Sequence, residues 1–382
     1  MRLAVAAHES SDSLDAAAWT ALLGPRDFFS SLDWLRFCED GTAAAPLHLE
    51  ARDASGALRG GLACFAVDDR APLPFCRVDQ ILARIAAEAG EPNAKVEGLM
   101  PSLFCGNGLS PHTRALTHPA LPPAARREVA RQLVEEAADL ARARGLATLL
   151  FPYVEAGDCL TRGALRELGF LEFVAGTASA LKVPGSFDEY LARFTSSRRN
   201  MVRRDLRKLA GARVRFSIEA VSQELVERCL PLQEQLTRKY GSVWEGDGVR
   251  AGFDSMRRHL PESARIVAAE LRGELCGFLV ILRWRDELYT RHAGFDYAAQ
   301  GRLPVYFGVV FYEPIAYAIR ERLRSIDYTI LAEETKASRG CDQEPVYGYV
   351  SPLAEASRPA LKALLDRIAL ARCPGAPARA AP

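Results

Sequence analysis

The sequence has no pair of cysteines at zinc-site spacing. Its nine cysteines are odd in number and widely separated, so they read as reduced thiols that fill space, not as a disulfide framework. The six histidines are scattered, and neither a metal site nor a Ser-His-Asp order can be built from them. No stretch approaches the length of apolar residues that a membrane-spanning helix requires. The opening MRLAVAAHESSD holds too short an apolar run for a secretory signal, so a cytoplasmic location is expected. Excess charge is missing as well: 49 Lys+Arg against 48 Asp+Glu leave a net +1. A polyanionic partner would therefore have to be met by a local patch, since the molecule as a whole has no basic field.

What is present is the composition of a well-packed globular chain, 49% hydrophobic and 25% charged over 382 residues. That length suits two domains. Residues 123–144, PAARREVARQLVEEAADLARAR, carry Val129, Leu133, Ala137 and Leu140 at three- and four-residue spacing and predict an amphipathic helix ended by Gly145. A buried strand, a second helix stopped by Gly169 and another strand follow. The second half repeats a related succession: a helix over 223–240, apolar strands over 264–271 and 275–283 joined at Arg272-Gly273-Glu274, a third strand ELYTRHAGFD, a long helix over 304–323 that Pro314 should bend, and a strand SIDYTIL. Pro184 and Gly185 punctuate the join. The expected division is 1–183, 184–370 and a disordered tail over 371–382, rich in Ala and Pro.

One local patch stands out. Between Arg193 and Arg215 the chain places nine arginines and lysines against one acid, Asp205. In SSRRNMVRRDLRKLAG, Val202, Leu206 and Leu209 make an apolar stripe, which leaves Arg198, Arg199, Arg203, Arg204, Arg207 and Lys208 around the rest of a helix that Ser196 or Ser197 can cap. Two readings stand: a solvated face with salt bridges to acidic parts of the chain, or a phosphate-binding surface, favoured because like charges this dense repel unless an anion neutralises them. With almost no aromatic interleaving it would hold a nucleic-acid backbone without reading bases.

Antiparallel strands joined by a tight turn, then a strand, a helix and a strand, describe a mixed α+β fold. Particular segments give this a family. VAAELRGELCGFLVIL resembles the central hairpin of the GNAT superfamily, and LRELGF the segment before its closing strand; two such units in tandem resemble FemAB-like enzymes. SFDEYLARFTSSRRNMVRRDLRK is similar to the junction of the FemAB-like N-acyltransferases of the peptidoglycan biosynthesis or recognition type, ELYTRHAGFD to their Leu-Tyr-Gly-Arg strand, and EETKASRGCDQEP to their Glu-His-Lys-x-x-Arg-Gly-x-x-Pro motif. The likeness runs from about Phe28 to Tyr349 and implies tandem GNAT-like domains that form an amide by acyl transfer.

On this expectation the second domain holds the chemistry, and the first helps enclose the acceptor. Lys336 can steady the oxyanion of a tetrahedral intermediate, while Glu334 or Glu333 accepts the proton of the attacking amine; an exposed Lys-Glu pair with no such role is the alternative. The resemblance adds that a lysine in the equivalent Fem motif is thought to contact the ester of an aminoacyl-tRNA. Thr335 stands where the family usually has histidine, so no imidazole at that position is the base. Arg291, Arg339 and Tyr312 are candidates for substrate binding, though Arg291 can equally be paired to a buried acid. Strand alternation would put Arg291 and His292 on opposite faces, and His292 reads as a half-core histidine. Cys341 is given no catalytic role.

The expected donor turns on a missing loop. The Arg/Gln-x-x-Gly-x-Gly/Ala pattern with which GNAT enzymes hold the coenzyme A pyrophosphate is absent from YAAQGRLPVYFG, where it should lie. Together with the basic helix this favours aminoacyl-tRNA as donor, with acyl-CoA as the alternative, and no tightly bound cofactor or metal is implied. The Fem resemblance implies an amine of a cell-wall precursor as acceptor, while the same chemistry could equally build a peptide-like metabolite. A non-catalytic RNA- or anion-binding protein that kept the fold is a third reading.

Overall fold

The structure is a computed structural model that describes residues 3–371 apart from 42–43, 72–73, 95, 108, 110 and 241–246. The expected tail lies outside the described residues except for Ala371. Eight cysteines are described; none is in a disulfide, and seven are buried.

Compactness divides the chain into one unit that runs to Gly176 and resumes at Pro345, and another spanning Thr177–Glu344. This corrects the expected boundaries. Pro184 and Gly185 do follow the end of the strand Leu171–Lys182, yet that strand begins in one unit and ends in the other. The segment after Glu344 returns to the first unit because it pairs with Thr148–Glu155, from Val346↔Glu155 to Pro352↔Thr148. Such a non-local ladder leaves no punctuation in the local sequence.

In the first unit, strands Ala4–His8, His48–Arg52, Leu58–Leu62 and Leu116–Thr117 form an antiparallel sheet. Strands Ala45–Pro46, Cys64–Val67, Ser102–Cys105 and Thr148–Glu155 build a second, in which the last two run parallel over three positions. The helix Pro123–Ala143 connects that parallel pair and buries Val129, Leu133, Val134, Ala137 and Ala141, close to the stripe its spacing predicts.

The second unit repeats the plan. Arg215–Ala220, Ala264–Leu271, Glu274–Trp284 and Glu287–Phe295 form an antiparallel run, and Ser325–Asp327 joins it in parallel. The turn between the central strands needs positive φ at both of its residues, Arg272 at 57° and Gly273 at 89°, so the chain places glycine at the more demanding one. Inward positions Val267, Ala269, Leu279, Ile281 and Leu288 form the core with Val305, Val309, Phe311 and Ile315 of the crossover. That crossover is not one α-helix: a turn at Val305–Phe307 leads into a π-helical turn, Gly308–Tyr312, and only then into the helix Glu313–Arg320. Pro314 falls in the first turn of that last helix, where its missing N–H costs nothing.

The basic helix forms over Ser196–Gly211 as its spacing predicts, with Thr195 as its cap. It packs at the start of the crossover through Gly308. A Cβ there would stand 2.7 Å from the Phe216 ring and 3.2 Å from Leu209, so glycine is what allows the approach.

Candidate functional site

The parallel strands of the second unit pair only at Glu287↔Ser325, Leu288↔Ile326 and Tyr289↔Asp327. Glu287–Phe295 then continues on its other neighbour, while the strand SIDYTIL predicts ends at Asp327. The two backbones part there, and crevices beyond strand ends are where sheets of this kind take ligands. Just past the parting point the ladder shifts: Leu279 faces Ala293 and Ile281 faces Thr290, so Val280 alone opposes Arg291 and His292. This bulge breaks the alternation assumed for Arg291 and His292, leaves one backbone position outside the ladder, and re-aims side chains. Arg291 is half-buried beside it. Burial and the adjacent Arg291 push His292 down to about 3, so it is a neutral imidazole too weak to take a proton from an ammonium.

Beyond Asp327 the chain turns sharply. Thr329, Leu331 and Ala332 hold φ of 59°, 71° and 53°, a conformation that costs free energy at each residue unless its surroundings impose it. The short helix Glu333–Ala337 follows. Within it Lys336 is 8% exposed, its Nζ donating to the carbonyls of Ile330 at 2.7 Å and Thr329 at 3.2 Å. Burial lowers the ammonium to about 8 in spite of Asp327, Cys341 and Glu333 nearby, so it is still mostly charged at neutral pH. Glu333 and Glu334 lie on the exposed side of the same helix. Cys341 is buried and its thiol is pushed up to about 12, which leaves it protonated and a poor nucleophile.

Asp327 went unnoticed in the sequence, where it is one acid in an apolar strand. It is 3% exposed, accepts the Thr329 N–H at 2.6 Å and acts on Lys336. Its place at the end of a splayed strand could have drawn attention to it.

Two of the predicted substrate-binding residues turn inward. Tyr312 is 1% exposed and donates its hydroxyl to Asp205 Oδ2 at 2.8 Å. Arg339, 2% exposed, faces the same oxygen at 3.8 Å and lays its guanidinium 3.7 Å over the Phe307 ring. Both therefore serve a buried carboxylate in place of a solvent-borne substrate. The spacing could not show this, because the acid they meet is more than a hundred residues away.

Val202, Asp205 and Leu209 are the buried side of the basic helix, and most of its cations lie on the other side. Arg203, Arg204, Arg207 and Lys208 are exposed, and Arg198 and Arg199 are half-buried, Arg198 with its guanidinium on the Met201 sulfur. Among the described residues none of these six has a carboxylate partner; Arg207 reaches only the Arg203 carbonyl, at 3.4 Å. The salt-bridge reading of the cluster thus lacks its acids.

The first unit differs at the matching strand end. There Arg114 bridges Asp27 at 2.7 Å, Glu155 at 2.9 Å and Asp158 at 3.4 Å, and Arg26 adds a contact to Glu155 at 3.0 Å. Although burial opposes it, His112, Arg26 and Arg114 hold the Glu155 carboxyl down to about 2. These charges are spent on one another, whereas Lys336 holds only carbonyls.

A family model described as FemAB-like, peptidoglycan biosynthesis/recognition, matches residues 10–369. The chain belongs to the FemAB-like family. On that membership it is an acyltransferase. Similar solved structures include FemX, at 11% identity and a TM-score of 0.62 over 95% of this chain and 100% of that one. They also include a tandem GNAT protein from the clavulanic acid biosynthesis pathway, at 16% and 0.52 over 92% and 99%, and L-PGS from Bacillus licheniformis, at 11% and 0.51 over 86% and 90%. At these identities they bear out the expected fold, a mixed α+β chain of tandem GNAT-like units. A search of curated proteins finds no match. No helix among the described residues is long and apolar enough to cross a membrane.

Proposed function

We propose that this FemAB-like transferase moves an aminoacyl group from aminoacyl-tRNA to an amine of a cell-wall precursor or peptide-like metabolite, in the cytoplasm. The observation that carries the donor is the outward face of Ser196–Gly211, where five cations stand without a carboxylate partner among the described residues. A duplex backbone supplies anions at that density, and their neutralisation releases counterions. Acyl-CoA remains the alternative donor.

The chemistry is aminolysis. The amine nitrogen adds to the ester carbonyl, a C–N bond forms as the C–O bond breaks, and the tRNA ribose hydroxyl leaves with a proton. Lys336, fixed by two carbonyls and desolvated, steadies the charge on the carbonyl oxygen. Glu334 or Glu333, at the exposed start of the same helix, takes the amine's proton as it arrives from solvent. Arg291 orients the acceptor's carboxylate or phosphate.

Purified protein incubated with charged total tRNA, with acyl-CoA mixtures and with candidate amines should yield a new amide, seen by mass spectrometry, only in the tRNA arm, and ribonuclease should abolish it. Full activity with acyl-CoA in the absence of RNA overturns the donor. Binding of tRNA with no turnover in any arm would favour the non-catalytic reading.

A further inference from the structure

We propose that Asp205 is a positioning residue for Lys336, joining the basic helix to the strained loop that carries the lysine. The proposal rests on the role just given to Lys336. It is motivated by an oddity of placement, since the only acid in a cationic helix is turned to the inside, 8% exposed, and its oxygen takes both the Tyr312 hydroxyl and the Arg339 guanidinium.

Arg339 is what Asp205 acts through. Its backbone N–H donates to the Lys336 carbonyl at 2.9 Å, its own carbonyl accepts the Tyr190 hydroxyl at 3.0 Å, and the Cys341 N–H closes on the Lys336 carbonyl at 3.2 Å. The guanidinium is clamped between Asp205 and the Phe307 ring. Side chain and main chain of Arg339 thus tie down the C-terminal end of the Lys336 helix. The N-terminal end emerges from Leu331 and Ala332, both at positive φ. A segment that begins in an unfavourable conformation stays there only while something fixes its far end. With the carboxylate gone, Arg339 becomes a buried cation without its counter-charge and is driven to move toward water, carrying the turn with it.

Tyr312 adds a second restraint, from the crossover helix, on the same oxygen. The three groups sit on three segments distant in sequence: the basic helix, the π-helical turn and the loop after the Lys336 helix. Their common point is Asp205.

The test reads Lys336 directly and needs no knowledge of the donor. Competitive labelling with acetic anhydride across pH, followed by mass spectrometry of the Lys336 peptide, gives the lysine's titration and reactivity. In the parent chain Lys336 should react slowly and titrate near 8. In Asp205→Asn it should react at least threefold faster and titrate higher, nearer an exposed lysine, with the titratable groups about it, Asp327, Cys341 and Glu333, unaltered. Tyr312→Phe keeps the ion pair, should fold, and should move both quantities the same way by a smaller amount. If Asp205→Asn fails to fold, Tyr312→Phe decides. Amide formation should fall in kcat by tenfold or more for Asp205→Asn, with KM for charged tRNA within twofold. Unchanged Lys336 labelling in a folded Asp205→Asn chain, or in Tyr312→Phe where the first is unfolded, overturns the proposal. Altered labelling with no transfer activity in the parent supports the positioning role and overturns the proposed donor instead.

Discussion

Replacing Arg203, Arg204, Arg207 and Lys208 together with glutamine tests the donor through a quantity that only phosphate contacts set. All four are exposed and none has a carboxylate partner, so the substitution breaks no ion pair among the described residues. Surface changes of this kind leave stability within about 0.5 kcal/mol. Each phosphate contact contributes roughly 0.7 to 0.9 to the slope of log affinity against log salt. Five seated cations, Arg199 included, should cost the parent chain roughly two to three powers of ten in affinity for charged tRNA between about 50 and 200 mM salt. With only Arg199 left, the loss should be about threefold over the same range and the slope should be smaller by about 3. Filter binding or fluorescence anisotropy over a salt series measures both slopes, and a thermal melt confirms that the fold is intact. A folded quadruple variant with the parent's slope refutes the surface outright, because then the phosphates are held elsewhere or not at all.

Other outcomes follow from the site and its surroundings. Lys336→Met should lower amide formation about 10²- to 10³-fold at unchanged tRNA affinity, as loss of one oxyanion-stabilising group does. The parent's rate should decline as pH rises through about 8, where Lys336 gives up its proton, and this limb should vanish in Lys336→Met. The same group sets a stability trend of opposite direction: its folded-state pKa lies below the ordinary lysine value, so the penalty of burying the charge is full below about 8 and is relieved as pH climbs from there toward 10.5, and the parent's melting temperature should gain on that of Lys336→Met in this window. Gly308→Ala should cost about 1 to 3 kcal/mol in a chemical melt, because its methyl group meets the Phe216 ring at 2.7 Å. Arg114→Met should cost roughly 2 to 3 kcal/mol, less than a fully buried pair because its side chain is 32% exposed, while the transfer rate per folded molecule is retained.

Much of the fold was legible because it is written in local periods. The helices over 123–144 and 196–211, the hairpin at Arg272-Gly273 and the strand through Tyr289 each announce themselves by spacing or by a turn residue. What the sequence concealed is non-local or irregular. The return of Pro345 onward to the first unit depends on a ladder with residues about two hundred positions earlier. The bulge opposite Val280 and the early end of the strand at Asp327 depart from regular geometry without a glycine or proline to mark them. Regular alternation therefore does not carry through Arg291 and His292, and a run of β-branched and aromatic residues overextended SIDYTIL.

The candidate site shows the same division more sharply. Lys336 was found because it sits in a recognisable motif, but its environment, two carbonyls in a loop of positive φ, depends on a conformation that no residue type there requires. In a tract counted as nine cations and one acid, the cations drew attention and the acid looked incidental. Burial inverts that weighting. An exposed arginine beside others interacts weakly through water, whereas one carboxylate inside the fold, facing a guanidinium and a phenol, decides where two other segments lie. On this reading the helix has two functions on opposite sides, and they separate by mutation: outward changes alter the salt slope and leave Lys336 labelling as it was, and Asp205→Asn does the reverse. A chain in which the outward quadruple variant also altered Lys336 labelling would show that the two sides are coupled, and would require the helix itself to move when its charges are removed.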